Sequence, residues 1–339
     1  MKKLLSSYTV IKPKQDVKHN QINGDNAECL AAGKLLLCLQ GEVSWGSRNE
    51  DGRKIDLFLS FDHPWINKER ILLLTQVKSG LAYGCISKEK KDSKGKKITS
   101  DGFILKKKTI EDNFRNSHDL MIIWVDRKTN KLFWAYIHKN TKIESSFYGL
   151  HHEVSPAMLY DVPRVIGKQT TSISGGKGVT IGQLDKDLKE NRKKAKIIYR
   201  DLAENKIISP VLGEVEFSRL GWRHMFRISR KKKHKKMSLQ TIFYIENILK
   251  QAPTLHKVID FNQFEENDYI YRQITHILTY SKVMLFNKDK IEIKVKLKEE
   301  TSYPIDWSND ALLFQKIRRR VVFINSYVTD ESIESNSTQ

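Results

Sequence analysis

The run RILLLTQVKSG, residues 70–80, limits the possible folds more than any other stretch of this 339-residue chain. Its apolar residues follow one another instead of alternating with polar ones. That is the pattern of a strand covered on both faces, and such strands belong to α/β layers. The end of the run is different. Gln76 and Lys78 stand two positions apart, so a strand projects both from one face while Val77 points to the other. An amide and an ammonium at the end of a buried strand need partners, which the rest of the chain must supply.

The flanking segments give the order helix, three strands, helix, two strands. GDNAECLAAGKLLLCLQG (24–41) reads as a helix that Asp25 can cap and Gly41 stops. A short strand and turn follow, then the alternating KIDLFLSF (54–61), the breaker HPWINKE (63–69), and the apolar run. The lysine-rich stretch from Lys88 to Ser100 reads as an exposed loop, and TIEDNFRNS (109–117) as a short helix. DLMIIWVD (119–126) and KLFWAYIH (131–138) are two strands joined by the turn RKTN. His151 and His152 are adjacent, a poor spacing for joint metal binding, and read as loop residues.

This pattern predicts an N-terminal arm over 1–23 and an α/β domain over 24–164. The Gly-, Ser- and Thr-rich 165–182 reads as a linker whose GGKG lacks the GxxxxGK[ST] spacing of a phosphate loop. Helices at 183–205 and 238–252, then strands at 268–281, 290–300 and 316–328, predict a basic α+β domain over 183–328, ahead of a polar tail at 329–339. Two domains also suit the length.

Sixty Lys and Arg against forty Asp and Glu leave a formal net charge of +20. A surplus of that size attracts polyanions through counterion release, and nucleic acid is the expected partner. The basic residues cluster at 88–97, in KKKHKK (231–236) and in RRR (318–320). Lys231, Lys232, Lys233, Arg318, Arg319 and Arg320 are therefore the candidate nucleic-acid-binding residues. No apolar stretch approaches the roughly 20 residues of a membrane span. The opening MKKLLSSYTV has too short an apolar run for a secretory signal. Cys29, Cys38 and Cys85 lack CxxC spacing, fit reduced thiols, and give no sign of zinc; the expected location is the cytoplasm.

Asp56 lies between Ile55 and Leu57, and an acid in so apolar a strand is costly to bury without compensation. If this strand and the next form a hairpin, the Asp56 carboxylate, the Gln76 amide oxygen and the Lys78 ammonium can converge at one end of the sheet, and Glu28 can add an oxygen from the preceding helix. Hard oxygen ligands suit Mg²⁺ (or Mn²⁺), with lysine steadying charge on an attacked phosphate. Two blander readings stand beside this one: Glu28 could complete a cap begun by Asp25, and Asp56 with Lys78 could be a structural ion pair.

In the order Glu28, GRKID (52–56), QVKSG (76–80), the chain resembles the PD-(D/E)XK nuclease superfamily, in the branch where Gln replaces the acid of the ExK pair, as in Mrr-like restriction endonucleases. AECL, the G-x-x-ID strand, QVKSG and the later IIWVD and FWAYI resemble an uncharacterised prokaryotic domain family of that superfamily, over residues 24–160. The resemblance implies a restriction-endonuclease-like αβββαβ core and metal-dependent cleavage of nucleic acid, usually DNA. Catalysis would fall to Asp56, Gln76, Lys78 and Glu28, with Asp56, Gln76 and Glu28 as metal ligands. By the same analogy it implies defence against foreign DNA, a possible homodimer and a possible defence-system partner.

A second constellation lies in LGEVEFSRLGWRHMFRISR (212–230), where His224 stands among Arg223, Arg227 and further arginines. Histidine can act as general acid or base near neutral pH and arginine can neutralise a pentavalent phosphate, while Ser326 and Tyr327 on the last strand could contact it. Residues 190–328 weakly resemble the barnase–EndoU–colicin–RelE-like ribonucleases, which would make His224 the acid–base residue, with Arg227 or a strand arginine as phosphate clamp. The plain reading is that Trp222 and Met225 are core and His224 is partly buried and satisfied. The expectation is thus a metal-dependent endonuclease. Its two rivals are a metal-independent ribonuclease in the C-terminal domain and a non-catalytic nucleic-acid-binding protein.

Overall fold

The computed structural model describes residues 17–46, 55–80, 87–91, 97–114, 118–174, 178–182, 187–229, 232–285, 290–310 and 313–329. The elements of the first half are α1 (Val17–Leu39), β1 (Glu42–Trp45), β2 (Leu57–Asp62), β3 (Arg70–Ser79), β4 (Ser87–Lys91), β5 (Lys97–Leu105), α2 (Lys107–Phe114), β6 (Leu120–Val125), β7 (Leu132–Ile137) and β8 (Ser146–Gly149). Those of the second half are α3 (Met158–Ser174), β9 (Val179–Ile181), α4 (Leu188–Glu204), β10 (Ile207–Ser209), β11 (Gly213–Phe217), α5 (Arg219–Phe226), α6 (Lys232–Ile242), α7 (Ile245–Leu249), β12 (Leu255–Glu266), β13 (Tyr269–Leu285), β14 (Lys290–Pro304), α8 (Leu313–Lys316) and β15 (Arg318–Thr329). The chain is thus mixed α/β. Among the described residues no helix is long and apolar enough to cross a membrane.

Internal contacts group the chain into two compact units. One comprises Met1–Leu36, Val43–Leu59 and Leu73–Val154; the other comprises Leu37–Glu42, Ser60–Leu72 and Ser155–Gln339. A five-stranded sheet runs in the order β1-β2-β3-β6-β7, with β3 parallel to β6 and β6 antiparallel to β7. β6, buried at all six positions, is the strand covered on both faces. The run 70–80 is covered in this way only in part, because its pairing with β6 starts at Leu74 and Leu72, before it, is 68 % exposed. Phe103, Leu105, Ile110, Ile122, Trp124 and Phe133 form a core against which Leu74 packs, so α2 and β5 cover the face of β3 that carries Leu74, Gln76 and Lys78.

Three local expectations differ from what is found. α1 begins at Val17, so Asp25 is interior rather than a cap and part of the expected arm is helical. The lysine-rich stretch expected as a loop contributes β4 and β5, a hairpin anchored because β5 continues into buried Phe103 and Leu105 and pairs with β8. The expected linker is, up to Ser174, the second half of α3.

The second unit is built on a seven-stranded sheet, β10-β11-β15-β14-β13-β12, with β9 on β13. β12 was not foreseen as a strand: as the exposed edge of the sheet it lacks a buried apolar face to show in sequence. Leu278, Val295, Leu297, Val321 and Phe323 of the sheet share one core with residues of α4, α5, α6 and α7, among them Tyr199, Met225, Ile242 and Ile248. Helix α4 is capped by Asp187, whose carboxylate accepts from Lys189 N at 2.7 Å.

Helix α5 approaches β15 so closely that a methyl group at Gly221 would lie 2.4 Å from both the Phe323 carbonyl oxygen and the Tyr199 hydroxyl. Neither can yield without moving β15 or α4. Gly221→Ala is expected to lower the unfolding free energy by about 1–3 kcal/mol, read as a lower urea midpoint with an unchanged slope.

Candidate functional site

Asp56 immediately precedes β2 and is tied to β3 by its backbone and its side chain. Its N–H donates to the Thr75 carbonyl at 2.9 Å, and its Oδ2 accepts the Val77 N–H at 2.6 Å. The carboxylate therefore sits against the peptide joining Gln76 to Val77, between the α-carbons of the two expected partners. Asp56 is only 9 % exposed, so the Val77 N–H supplies part of the compensation its burial demands.

Gln76 and Lys78 do share a face, paired with Ile122 and Trp124 of β6. They differ in depth. Lys78 is half-exposed, whereas Gln76 is 1 % exposed, with Oε1 accepting from Asn113 Nδ2 across a long 3.4 Å contact. Asn113, on α2, was missed in the sequence. The same amide donates to the Thr109 carbonyl at 2.7 Å. On this face two buried atoms, Gln76 Nε2 and Asn113 Oδ1, have no hydrogen-bond partner among the described residues, and Thr75 Oγ1 has none on the opposite face of β3. Buried polar atoms are normally satisfied, so such a group marks a place that accepts a further polar occupant.

The end of β3 is held from two sides. Trp124 Nε1 donates to the Gly80 carbonyl at 3.1 Å, and Arg127 donates to Ser79 Oγ through Nε at 3.1 Å and Nη2 at 2.6 Å. Glu28 lies half-buried well inside α1, so the capping reading fails for it. Among the described residues no three His, Cys, Asp or Glu side chains come together as a metal cage.

In the second unit, α5 carries exposed Arg223 and half-exposed His224, with exposed Arg227 just beyond it. Met225 is fully buried and Trp222 packs against Tyr199 and Phe226, with ring centroids 5.2 and 4.5 Å away. Ser326 does not contact solvent. Its carbonyl accepts from Ser238 Oγ at 2.7 Å and its hydroxyl shares a hydrogen bond with Thr241 Oγ1 at 2.6 Å, so it pins α6 to β15. Tyr327, the next residue in the strand, faces the opposite side, so the structure does not bring these two together.

The basic candidates also separate. Lys231 lies outside the described residues, and Lys232 and Lys233 open α6. Arg318 and Arg320 are exposed, but Arg319 turns inward, because the middle of three consecutive strand residues points the other way. Its Nε donates to Glu299 Oε1 at 2.6 Å and its Nη2 to the Leu212 carbonyl at 2.8 Å, and the guanidinium lies over the Tyr160 ring, 4.6 Å from its centroid. Arg319 is therefore a structural residue and not part of a phosphate-binding surface.

Arg319 belongs to a buried network absent from the sequence reading. Glu299 Oε2 accepts from Arg164 Nη2 at 2.5 Å and lies 2.9 Å from His276 Nε2; Asp161 binds Arg164 and Arg272, each at 2.9 Å. His276 Nδ1 lies 2.9 Å from His256 Nε2. Burial alone would raise the Glu299 carboxyl, but Arg164, Arg319 and His276 outweigh it and hold it well below the carboxylate range. Burial, with Arg164 and Arg319 nearby, pushes His276 down to about 4 against the pull of Glu299. The network fastens α3 to β13, β14 and β15.

The family model of large polyvalent protein-associated domain 3 matches residues 186–304, from the start of α4 to the end of β14. No curated protein and no solved structure matches the chain.

Removing one member of the network strands buried charge. Glu299→Gln is expected to cost about 3–5 kcal/mol in urea unfolding. Folded His276 takes a proton near pH 4, the unfolded chain near 6.5, so the unfolded chain binds more protons between them. Stability should therefore fall as pH drops through that window, by at most about 3 kcal/mol, and His276→Gln should lack that component.

Proposed function

We propose that the first unit is a metal-dependent nuclease acting on DNA, with the restriction-endonuclease-like αβββαβ core of the PD-(D/E)XK superfamily. The observation that carries this reading is the Asp56 carboxylate held at the Val77 N–H, between Gln76 and Lys78. The order α1, β1–β3, α2, β6, with β3 parallel to β6 and β4–β5 inserted, supports it.

The donor chemistry fits Mg²⁺ or Mn²⁺. Asp56 brings a carboxylate anchored through Oδ2 at the Val77 N–H, Gln76 offers a neutral oxygen once its amide leaves the long contact with Asn113, and Glu28 is a third candidate. Mg²⁺ needs few protein ligands, because waters and phosphate oxygens complete its octahedron. When bound, the ion would supply a more acidic water and charge neutralisation at the phosphate. Asp56 anchors, Gln76 orients, and Lys78, half-exposed on the same face, holds charge developing on the phosphate. The basic surplus of the chain favours a polyanionic substrate, and action in the cytoplasm against foreign DNA follows by analogy alone.

A second reading, a metal-independent ribonuclease in the second unit, keeps one observation in its favour: His224 is half-exposed beside exposed Arg223 and Arg227. Burial of Ser326 counts against it.

Asp56→Ala and Lys78→Ala should each slow plasmid cleavage in Mg²⁺ or Mn²⁺ by at least about a hundredfold. Wild-type rates in both variants would remove the site. RNA cleavage that persists in EDTA and vanishes in His224→Ala would transfer the activity to the second unit. Salt-sensitive binding without cleavage under any condition would leave a binding protein with a nuclease-like fold.

A further inference from the structure

The helix-covered face of the large sheet is fully accounted for by its core and its charge network; its other face is not. Residues paired directly across neighbouring strands share a face, so the register lays that second face out in rows. Lys294 lies between Thr279 and Tyr327, Lys296 between Ile277 and Asn325, and Lys298 between Thr275 and Val322. Lys257 extends the second row from the edge strand, opposite Ile277. The segment KIEIKVKLK thus spends Ile291, Ile293, Val295 and Leu297 on the core and sends its lysines out the other side, half-exposed, along a central strand.

Their ionic partners are few. Lys294 meets Glu292 at 2.9 Å. Lys257, Lys296 and Lys298 make no ion pair among the described residues. The acidic groups on the face among the described residues are Glu292; Asp260, opposite Thr275; Glu266, opposite Tyr269; Glu300, which accepts from Gln273; Glu214, which pairs with Lys206 at 2.9 Å; and Glu216, which pairs with exposed Arg320 at 3.3 Å. The face is lined with aromatics at both ends of the lysine row. Tyr327 stands beside Lys294, and Phe264 stacks on Tyr271 with centroids 5.3 Å apart, in the row of Ser302 and Arg318. Alternate residues of a strand are about 6.8 Å apart, so the three lysines form a straight track of evenly spaced charge, and the two aromatic ends are separated by about 27 Å.

We infer that this open face binds single-stranded nucleic acid, with the backbone along Lys294, Lys296 and Lys298 and bases stacked on Tyr327 and Tyr271. The charge track suits successive phosphates of an extended strand, and rings at the ends suit unpaired bases, which a duplex would not expose. No histidine lies on this face among the described residues of β12 to β15, since His256 and His276 turn to the covered side. The lysine track and the rings at its ends supply contacts that hold a strand, and the surface stands independently of the metal site in the first unit.

The test is fluorescence anisotropy of the full chain with a short labelled oligothymidylate, in EDTA so that metal-dependent cleavage does not interfere. Wild type should bind and weaken with salt. Lys296→Glu with Lys298→Glu should lose at least about tenfold in affinity and flatten the log–log salt slope by about 1.4, the effect of two lost phosphate contacts. Lys193→Glu, on α4 beneath the covered face, should bind as wild type. Tyr327→Ala should weaken oligothymidylate by about fivefold or more while leaving heparin binding unchanged. Wild-type affinity and slope in the double lysine variant overturn the proposal. An equal effect of Tyr327→Ala on heparin and oligonucleotide overturns the single-strand assignment. Loss of plasmid cleavage in Asp56→Ala bears on neither result.

Discussion

The acceptance of the Val77 N–H by the Asp56 carboxylate is the contact on which the first unit's candidate chemistry depends. A carboxylate this deeply buried needs donors, and this one takes a backbone N–H from the strand that carries Gln76 and Lys78. The bond fixes the acid against β3 without a rotatable partner. It also keeps that strand end in register with Asp56, because the Asp56 N–H is bound to Thr75 on the same strand. Parallel pairing with β6 then places Lys78 beside Trp124, whose indole secures the following turn at Gly80. Orphaned polarity gathers near the same strand end, with Gln76 Nε2 and Asn113 Oδ1 unsatisfied among the described residues, and Gly80 at φ +90° makes the turn that follows. Functional sites tolerate such departures more readily than ordinary cores.

The second unit solves a different problem. Long strands twist, and a sheet this extended outruns the apolar core that its helices can cover. Where that core ends, the same inward positions of β13, β14 and β15 continue as Arg272, His276, Glu299 and Arg319, met by Asp161 and Arg164 of α3. Three guanidiniums against two carboxylates, with a histidine held neutral, make a costly way to attach a helix. Its return is directional: charged hydrogen bonds fix one placement of α3, where apolar packing would accept several.

Much of this could be read from the residues in order. Alternation and apolar runs located β2, β3, β6 and β7, and the chemistry of Asp56, Gln76 and Lys78 pointed to a shared location, which the register supplies for the backbone. The failures have specific causes. β12 is an edge and carries no buried stripe; the β4–β5 hairpin is drawn into place by Phe103 and Leu105 and not by its lysines. Composition promoted the Gly- and Ser-rich end of α3 to a linker. Clustering in sequence misassigned RRR, since strand geometry sends Arg319 inward and leaves only Arg318 and Arg320 outside.

Periodicity by itself determined that this chain builds α/β layers, that KIEIKVKLK has an apolar side and a lysine side, and that an acid at the start of one strand is followed by an amide and an ammonium on the next strand of the first sheet. Periodicity is a property of neighbours along the chain, so it ends at the edge of each element. Only the tertiary structure decided how deep Gln76 lies beneath α2, that Ser326 is core, and that residues from Asp161 to Arg319 form one buried ionic cluster. Those outcomes depend on which strands pair and which helix closes over them, and pairing across a hundred residues leaves no local mark.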